Sequence, residues 1–216
     1  LYLSMFFAPV QVMGDLYNSM LSTAASAERI FQLLDTKPKI INRPAARPFP
    51  RIAGHVEFNQ VFFRYDTTAS NHWVLNNISF VAQPGETIAL VGETGSGKTS
   101  IVSLIARFYE PQRGQIRVDD SNLADTTIES LRGQIGIVTQ ENFLFTGTVM
   151  DNLKFGRNLA SDEEITTAAR TLGTHDIIMR LQEGYATRVG ERGSNLSAGE
   201  RQLITFTRAM AANPRI

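Results

Sequence analysis

"LVGETGSGKTSI", residues 90–101, decides the fold. Gly92, Gly97, Lys98 and Thr99 satisfy G-x-x-x-x-G-K-[ST] without a mismatch. The flanks fit as well. "TIALV" (87–91) is nearly all apolar and is predicted as a short strand buried on both faces. Ile101, Leu104, Ile105 and Phe108 recur at helical steps and predict an amphipathic helix. Strand, glycine-rich turn and helix together make a phosphate loop. The glycines let the backbone curl so that its N–H groups converge on phosphate oxygens. A helix starting near Lys98 adds the positive end of its dipole. Lys98 places a cation against the β- and γ-phosphates, and the Thr99 hydroxyl is a hard oxygen suited to Mg²⁺. Gly92, Glu93, Thr94, Gly95, Ser96, Gly97, Lys98, Thr99 and Ser100 are therefore candidate nucleotide-binding residues. A chance match to the pattern arises in about 1% of chains this long.

Bulk properties narrow the partners. Lys plus Arg and Asp plus Glu number 21 each, so no overall basic field recruits nucleic acid. The 216 residues include no cysteine, which excludes disulfides, thiolate metal sites and a catalytic thiol. The chain is 43% hydrophobic, ordinary for a globular protein, and its length suits one or two domains. "LYLSMFFAPVQVM" is apolar but has only about 13 residues where a bilayer span needs about 20. It lacks the basic flank and cleavage site of a signal peptide. It reads either as a core-packing helix or as the end of a membrane helix that begins upstream.

Leu16, Met20, Ala24, Ala27, Phe31 and Leu34 continue that start at helical spacing to about Asp35. "TKPKIINRPAARPFPR" (36–51), rich in proline and basic residues, reads as an extended linker over 36–53. From Gly54 the pattern changes. "HVEFNQVFFRYD" and "ISFVAQ" alternate as half-buried antiparallel strands do, and Pro84-Gly85 marks a turn. "QIRVDD" and "QIGIVTQ" read as further strands. After Asn142 the signals are mostly helical, in "SDEEITTAARTL", "THDIIMRLQ" and "SAGERQLITFTRAMAA".

A second motif opens the last of these helices: "LSAGERQ", residues 196–202. Ser197 and Glu200 fit the S/T-x-x-E capping box, and Leu203, Phe206 and Met210 are expected as the buried stripe. Alone, such a box is ordinary helix punctuation. With a phosphate loop about 100 residues upstream, the chain resembles the nucleotide-binding domain of ATP-binding cassette (ABC) transporters, of the exporter type. The family signature is usually L-S-G-G-Q-[RQ]-Q. Leu196, Ser197, Ala198, Gly199 and Glu200 match it with Ala198 for glycine and Glu200 for glutamine.

The resemblance implies an α/β phosphate-loop ATPase core with an antiparallel β subdomain and an α-helical subdomain at about 141–212. It implies ATP and Mg²⁺ as ligands and a second ABC subunit, identical or not, whose signature closes over this loop's γ-phosphate. By the same resemblance Tyr65 stacks on adenine, and Gln140 contacts Mg²⁺ and faces the protein's own membrane domain. "TRVGERG" (187–193) resembles the exporter loop that touches membrane domains, with Arg188 where an acid is usual. Residues 1–35 match the cytosolic extension of the last transmembrane helix, 36–53 a linker and 54–216 the nucleotide-binding domain. The location implied is the cytoplasmic face of the plasma (inner) membrane.

In the family, a buried strand ending in Asp-Glu follows the position of Ile216, and a histidine follows later; His55, His72 and His175 do not occupy that histidine's place. The glutamate orients the attacking water. The 216 residues are thus expected to stop before the Walker B strand, to bind ATP and hardly turn it over, and to be marginally stable alone. Two rivals remain at this stage: the catalytically silent half of a heterodimeric exporter, and a soluble phosphate-loop kinase, against which "LSAGERQ" argues.

Overall fold

A computed structural model describes residues 2–65, 72–157 and 160–216. The chain divides into two compact units, Leu1–Lys39 and Ile40–Ile216. The first is one helix, α1 (Tyr2–Leu34), with Pro9 inside it. Phe6, Val10, Leu16 and Phe31 on it are exposed. No helix among the described residues is long and apolar enough to cross a membrane.

The second unit opens with a four-stranded antiparallel sheet. Its strands are β1 (Val56–Phe63), β2 (Leu75–Ala82), β3 (Arg113–Val118) and β4 (Ser121–Asn122), in the order β2-β1-β3-β4. The buried residues of β1 are Val56, Phe58, Val61 and Phe63, so strict alternation breaks once, between 58 and 61. A bulge explains the break: the register shifts there, and Gln60 takes φ 48°. Gly114 (φ 81°) lies against the bulge, where an added Cβ would sit 2.2 Å from the Gln60 carbonyl oxygen. Only glycine fits there. Helix α2 (Lys98–Ile105) places Ile101 and Leu104 in the same core as β1, β2 and β3. Phe108, expected on that helix's buried stripe, lies beyond its end and is 47% exposed.

Two expected strands are corrected. Residues 87–91 join no ladder, and Ile88, Leu90 and Val91 are exposed rather than buried on both faces. Residues 134–140 likewise form no named strand; Gly136 donates to the Ile216 carbonyl at 2.9 Å and Ile216 to that of Gln134 at 3.3 Å. A strand is defined by its neighbour's hydrogen bonds, so an apolar run is necessary for one and not sufficient.

Residues 40–52 carry a bend at Ile40, a turn at 44–45 and a single bridge between Arg47 and Thr126, and are tied down by short helix α3 (Ile128–Arg132). Asn42 Oδ1 accepts from the Ile128 N–H at 2.8 Å, and its amide donates to Glu129 at 2.9 Å. That amide holds the Glu129 carboxyl below its usual range. Phe49 N–H donates to Ser130 Oγ at 2.7 Å, and Ile52 N–H to Gln134 at 2.9 Å. Arg107, 1% exposed, donates to the carbonyls of Thr126, Ala124 and Ile41 and pairs with Glu110 at 2.8 Å. Residues 41–52 are therefore bonded to the rest of this unit.

The remainder is mostly helical: α4 (Val149–Lys154), α5 (Asp162–Thr171), α6 (His175–Met179) and α7 (Ala198–Ala211). A two-stranded sheet of β5 (Gly147–Thr148) and β6 (Arg188–Val189) closes one side. Their apolar faces share a second core around Leu144, Leu153, Ile165, Ile178, Leu196 and Ile204. The face that α7 buries differs in part from the expected one: Leu203 packs against the core, but its two expected companions do not. Ile204, Thr205, Thr207 and Ala211 are buried, whereas Phe206 and Met210 are 42% and 40% exposed. Thr205 and Thr207 can turn inward because their hydroxyls donate to the carbonyls of Arg201 and Leu203, which leaves only methyl groups to pack.

Candidate nucleotide site and signature helix

The phosphate loop folds as its glycines require. Gly92, Gly95 and Gly97 all take positive φ, at 151°, 88° and 91°. A Cβ on Gly97 would sit 2.6 Å from Leu75 Cδ2 and 3.1 Å from the Val74 carbonyl oxygen, and one on Gly92 would meet Ser96 Oγ at 2.8 Å. The cradle is thus a space that side chains would fill. Gly97 caps α2 with no side chain, leaving the first N–H groups of the helix without intrahelical partners, as at any helix start. Lys98 Nζ reaches back to the carbonyls of Gly92 at 2.8 Å and Glu93 at 2.7 Å, and to Ser96 Oγ at 3.3 Å. The ammonium is held inside the curl. Thr99 is exposed beside it and Ser100 is buried.

Tyr65 joins this site from β1's end. Its hydroxyl shares a hydrogen bond of 2.9 Å with Ser100 Oγ, in the first turn of α2. Its ring meets Phe63 and Tyr109 edge-on, at 4.8 and 5.0 Å between centroids. Gln140 lies in a bend at the end of the run 134–140 and is exposed. Among the described residues it makes no hydrogen bond to the loop.

The signature belongs to the second core. Leu196 anchors it at 6% exposure, while Ser197, Ala198 and Gly199 face outward. The capping box is complete: Ser197 Oγ accepts from Glu200 N–H at 3.3 Å, and Glu200 Oε2 accepts from Ser197 N–H at 2.7 Å. That backbone N–H holds the Glu200 carboxyl below the usual carboxylate range, so the acid is ionised at neutral pH. Among the described residues no hydrogen bond, ion pair or ring contact joins the signature to the phosphate loop. Each rides on its own core.

For Mg²⁺ the donor chemistry fits. The ion keeps several waters and takes one or two protein oxygens besides substrate phosphates. The Thr99 hydroxyl and the Gln140 amide oxygen are hard donors of that kind. Bound there, Mg²⁺ would neutralise phosphate charge; this chain's own part is to curl the loop, fix Lys98 and cap the helices.

Sequence reasoning missed the arginines that hang loops from α7 and α2. Arg208 donates to the Phe143 carbonyl at 2.6 Å, and Arg201 to those of Gly193 and Leu196. Arg201 was within reach of sequence, since it lies four residues after the cap on the same helix face. Arg107, past the end of α2, gives no periodic signal.

Residues 75–216 match the family model described as ABC transporter. An ABC transporter ATP-binding protein of Bacillus subtilis is 47% identical over 215 residues, covering 100% of this chain and 35% of that protein. An ATP-dependent lipid A-core flippase of Syntrophus aciditrophicus is 42% identical over 214 residues, again 35% of its length. Among solved structures, a bacterial Atm1-family ABC exporter with ATP bound matches 99% of this chain and 37% of its own, with TM-score 0.80 and 36% identity. The chain thus spans about a third of the length of these relatives.

Proposed function

The chain belongs to the ABC transporter family, as an exporter-type nucleotide-binding domain, and from that premise we propose that it binds Mg·ATP at residues 92–100 and closes on a second such domain to drive export. The observation that carries this is the pair of separate end-of-helix devices. One is a glycine cradle with Lys98 folded into it. The other is a capped, outward-facing helix start on another core. A chain that builds both, without joining them, can lend its signature to another subunit's nucleotide.

In this reading the amides of the loop and Lys98 hold the β- and γ-phosphates, and Thr99 with Gln140 supplies the protein oxygens for Mg²⁺. Tyr65 offers an aromatic face to the base. The N-terminus of α7, from Leu196, Ser197, Ala198, Gly199 and Glu200, meets the partner's γ-phosphate with its unpaired N–H groups. Gln140 and the 187–193 loop pass closure to the membrane domain of the same protein. Residues 1–35 continue a transmembrane helix into the cytoplasm, and the protein sits in the plasma (inner) membrane. ATP turnover belongs to the complete gene product; the 216 residues by themselves bind ATP and turn it over near background, because the water-orienting acid is not among the positions identified in them.

The test uses the absence of cysteine from these residues. In the complete gene product, with any cysteine outside these residues replaced, cysteines placed at Ser96 and Gly199 should cross-link between subunits when Mg·ATP is added and not with buffer alone. Cross-linking indifferent to nucleotide would refute head-to-tail closure.

A further inference from the structure

We propose that Arg201 is a positioning residue, which holds the turn before the signature helix in the shape that meets phosphate. The inference rests on the reading that the start of α7 faces a nucleotide held by another subunit. Arg201 is the fourth residue after Ser197, so both lie on one helix face, and side chains on a helix lean toward its N-terminus. Its Nη1 donates to the carbonyl of Gly193 at 3.3 Å and to that of Leu196.

The gripped turn is an unusual one. Arg192 and Gly193 are consecutive residues in the left-handed region, at φ 53° and 70°. A Cβ on Gly193 would sit 2.9 Å from Arg201 Cδ and 3.2 Å from Leu144 Cδ1. Leu144 is fully buried and lies four residues after Gln140. The turn is therefore clasped between the arginine stem on one side and the segment leaving Gln140 on the other. Asn195 closes it from below, accepting from Gly190 N–H at 2.8 Å and donating to the Arg188 carbonyl at 2.8 Å.

Charge supports the assignment. A cation in the first turns of a helix opposes the dipole and is unfavourable for the helix itself. Here the two carbonyls offset that cost, both served by the two N–H groups of Nη1, which lies one bond further from the backbone than a lysine Nζ would reach. Engaged with Arg201, those carbonyls have their negative ends neutralised next to the place where an anion would arrive. Glu200, ionised in the capping box, adds a negative charge at the same helix start, which makes a neighbouring cation more consequential.

The experiment compares wild type, Arg201→Ala, Arg201→Lys and Gly193→Ala in the complete gene product. Two readouts are needed: affinity for a fluorescent ATP analogue, which reports the chain's own loop, and the rate of the ATP-dependent 96–199 cross-link, which reports closure. Arg201→Ala should keep loop affinity within about twofold, since the loop and signature lie on separate cores. Its closure should slow about tenfold, with Arg201→Lys between it and wild type. Gly193→Ala, which displaces the arginine stem from the other side, should slow closure in the same direction. Wild-type closure in Arg201→Ala would overturn the inference, and so would a matching loss of loop affinity, which marks general damage. Should Arg201→Ala fail to fold, the lysine variant decides alone. Slowed closure with intact loop affinity supports the inference, and wild-type closure overturns it. If the wild type itself bound no analogue, the reading of the site would fall rather than the role of Arg201.

Discussion

The sheet half and the helical half of the second unit treat their apolar residues differently. In the helical half, α4, α5, α6 and α7 close a core in which Leu144, Val149, Leu153, Ala169 and Ile204 are fully buried. In the sheet half, Val56, Phe58, Val61 and Phe63 of β1 are buried as well, yet the runs 87–91 and 134–140 leave Ile88, Leu90, Val91 and Val138 exposed. A helix satisfies its backbone within its own few turns, so a capped amphipathic segment needs only a face to pack on. A strand must borrow every ladder bond from a neighbour distant in sequence. The phosphate loop follows one of the unladdered runs, and the signature opens a helix in the closed core.

That contrast can be broken by experiment. The largest effects should come from the two cores. Leu153→Ala and Leu104→Ala, at 0% and 1% exposure, should each cost about 2–5 kcal/mol in chemical denaturation. Only Leu104→Ala should also weaken nucleotide binding, because Leu104 seats the helix that starts at Lys98. Equal effects on binding would mean that the two halves are not separable. Next in size, Lys98→Ala should lower affinity for Mg·ATP about 100-fold, as loss of one charge-assisted partner does. It should leave the melt of the helical half unchanged. An affinity within a few-fold of wild type would contradict the placement of Lys98 in the cradle.

Ser197→Ala removes the side chain that receives the Glu200 N–H and should cost about 1 kcal/mol of stability. Loop affinity, read by the fluorescent analogue, should not change. The smallest effect concerns acid. Asp151, Glu164 and Glu200 each accept a backbone N–H in a capping box, those of Thr148, Ser161 and Ser197, and each carboxyl is held below its usual range. A depressed carboxyl contributes stability that is present above its unfolded pKa, near 4, and is lost as pH falls through the lower folded value. Helical circular dichroism should therefore fall below about pH 4. A helical signal that stays flat through that range would show that the caps do not set the acid limit.

Much of this protein could be read from residue order. The loop at 92–99, the capping box at Ser197, the antiparallel strands β1, β2 and β3 and the helices α1, α2, α5 and α7 are all local patterns, in which each residue's preference is set by neighbours within a turn or a hairpin. Glycines that must take positive φ and a serine three residues before a glutamate announce themselves in the sequence. The tertiary structure decided what depends on a distant partner. It left 87–91 without a ladder, although the run is as apolar as a buried strand. It turned α7 so that Ile204 and Thr207 face inward and Phe206 outward. It also converted a proline-rich linker into a bonded strap, through Asn42 and Arg107. Periodicity tells which residues can share a face, but only the surface opposite determines which face is covered, and that surface is assembled from segments 50 to 90 residues away.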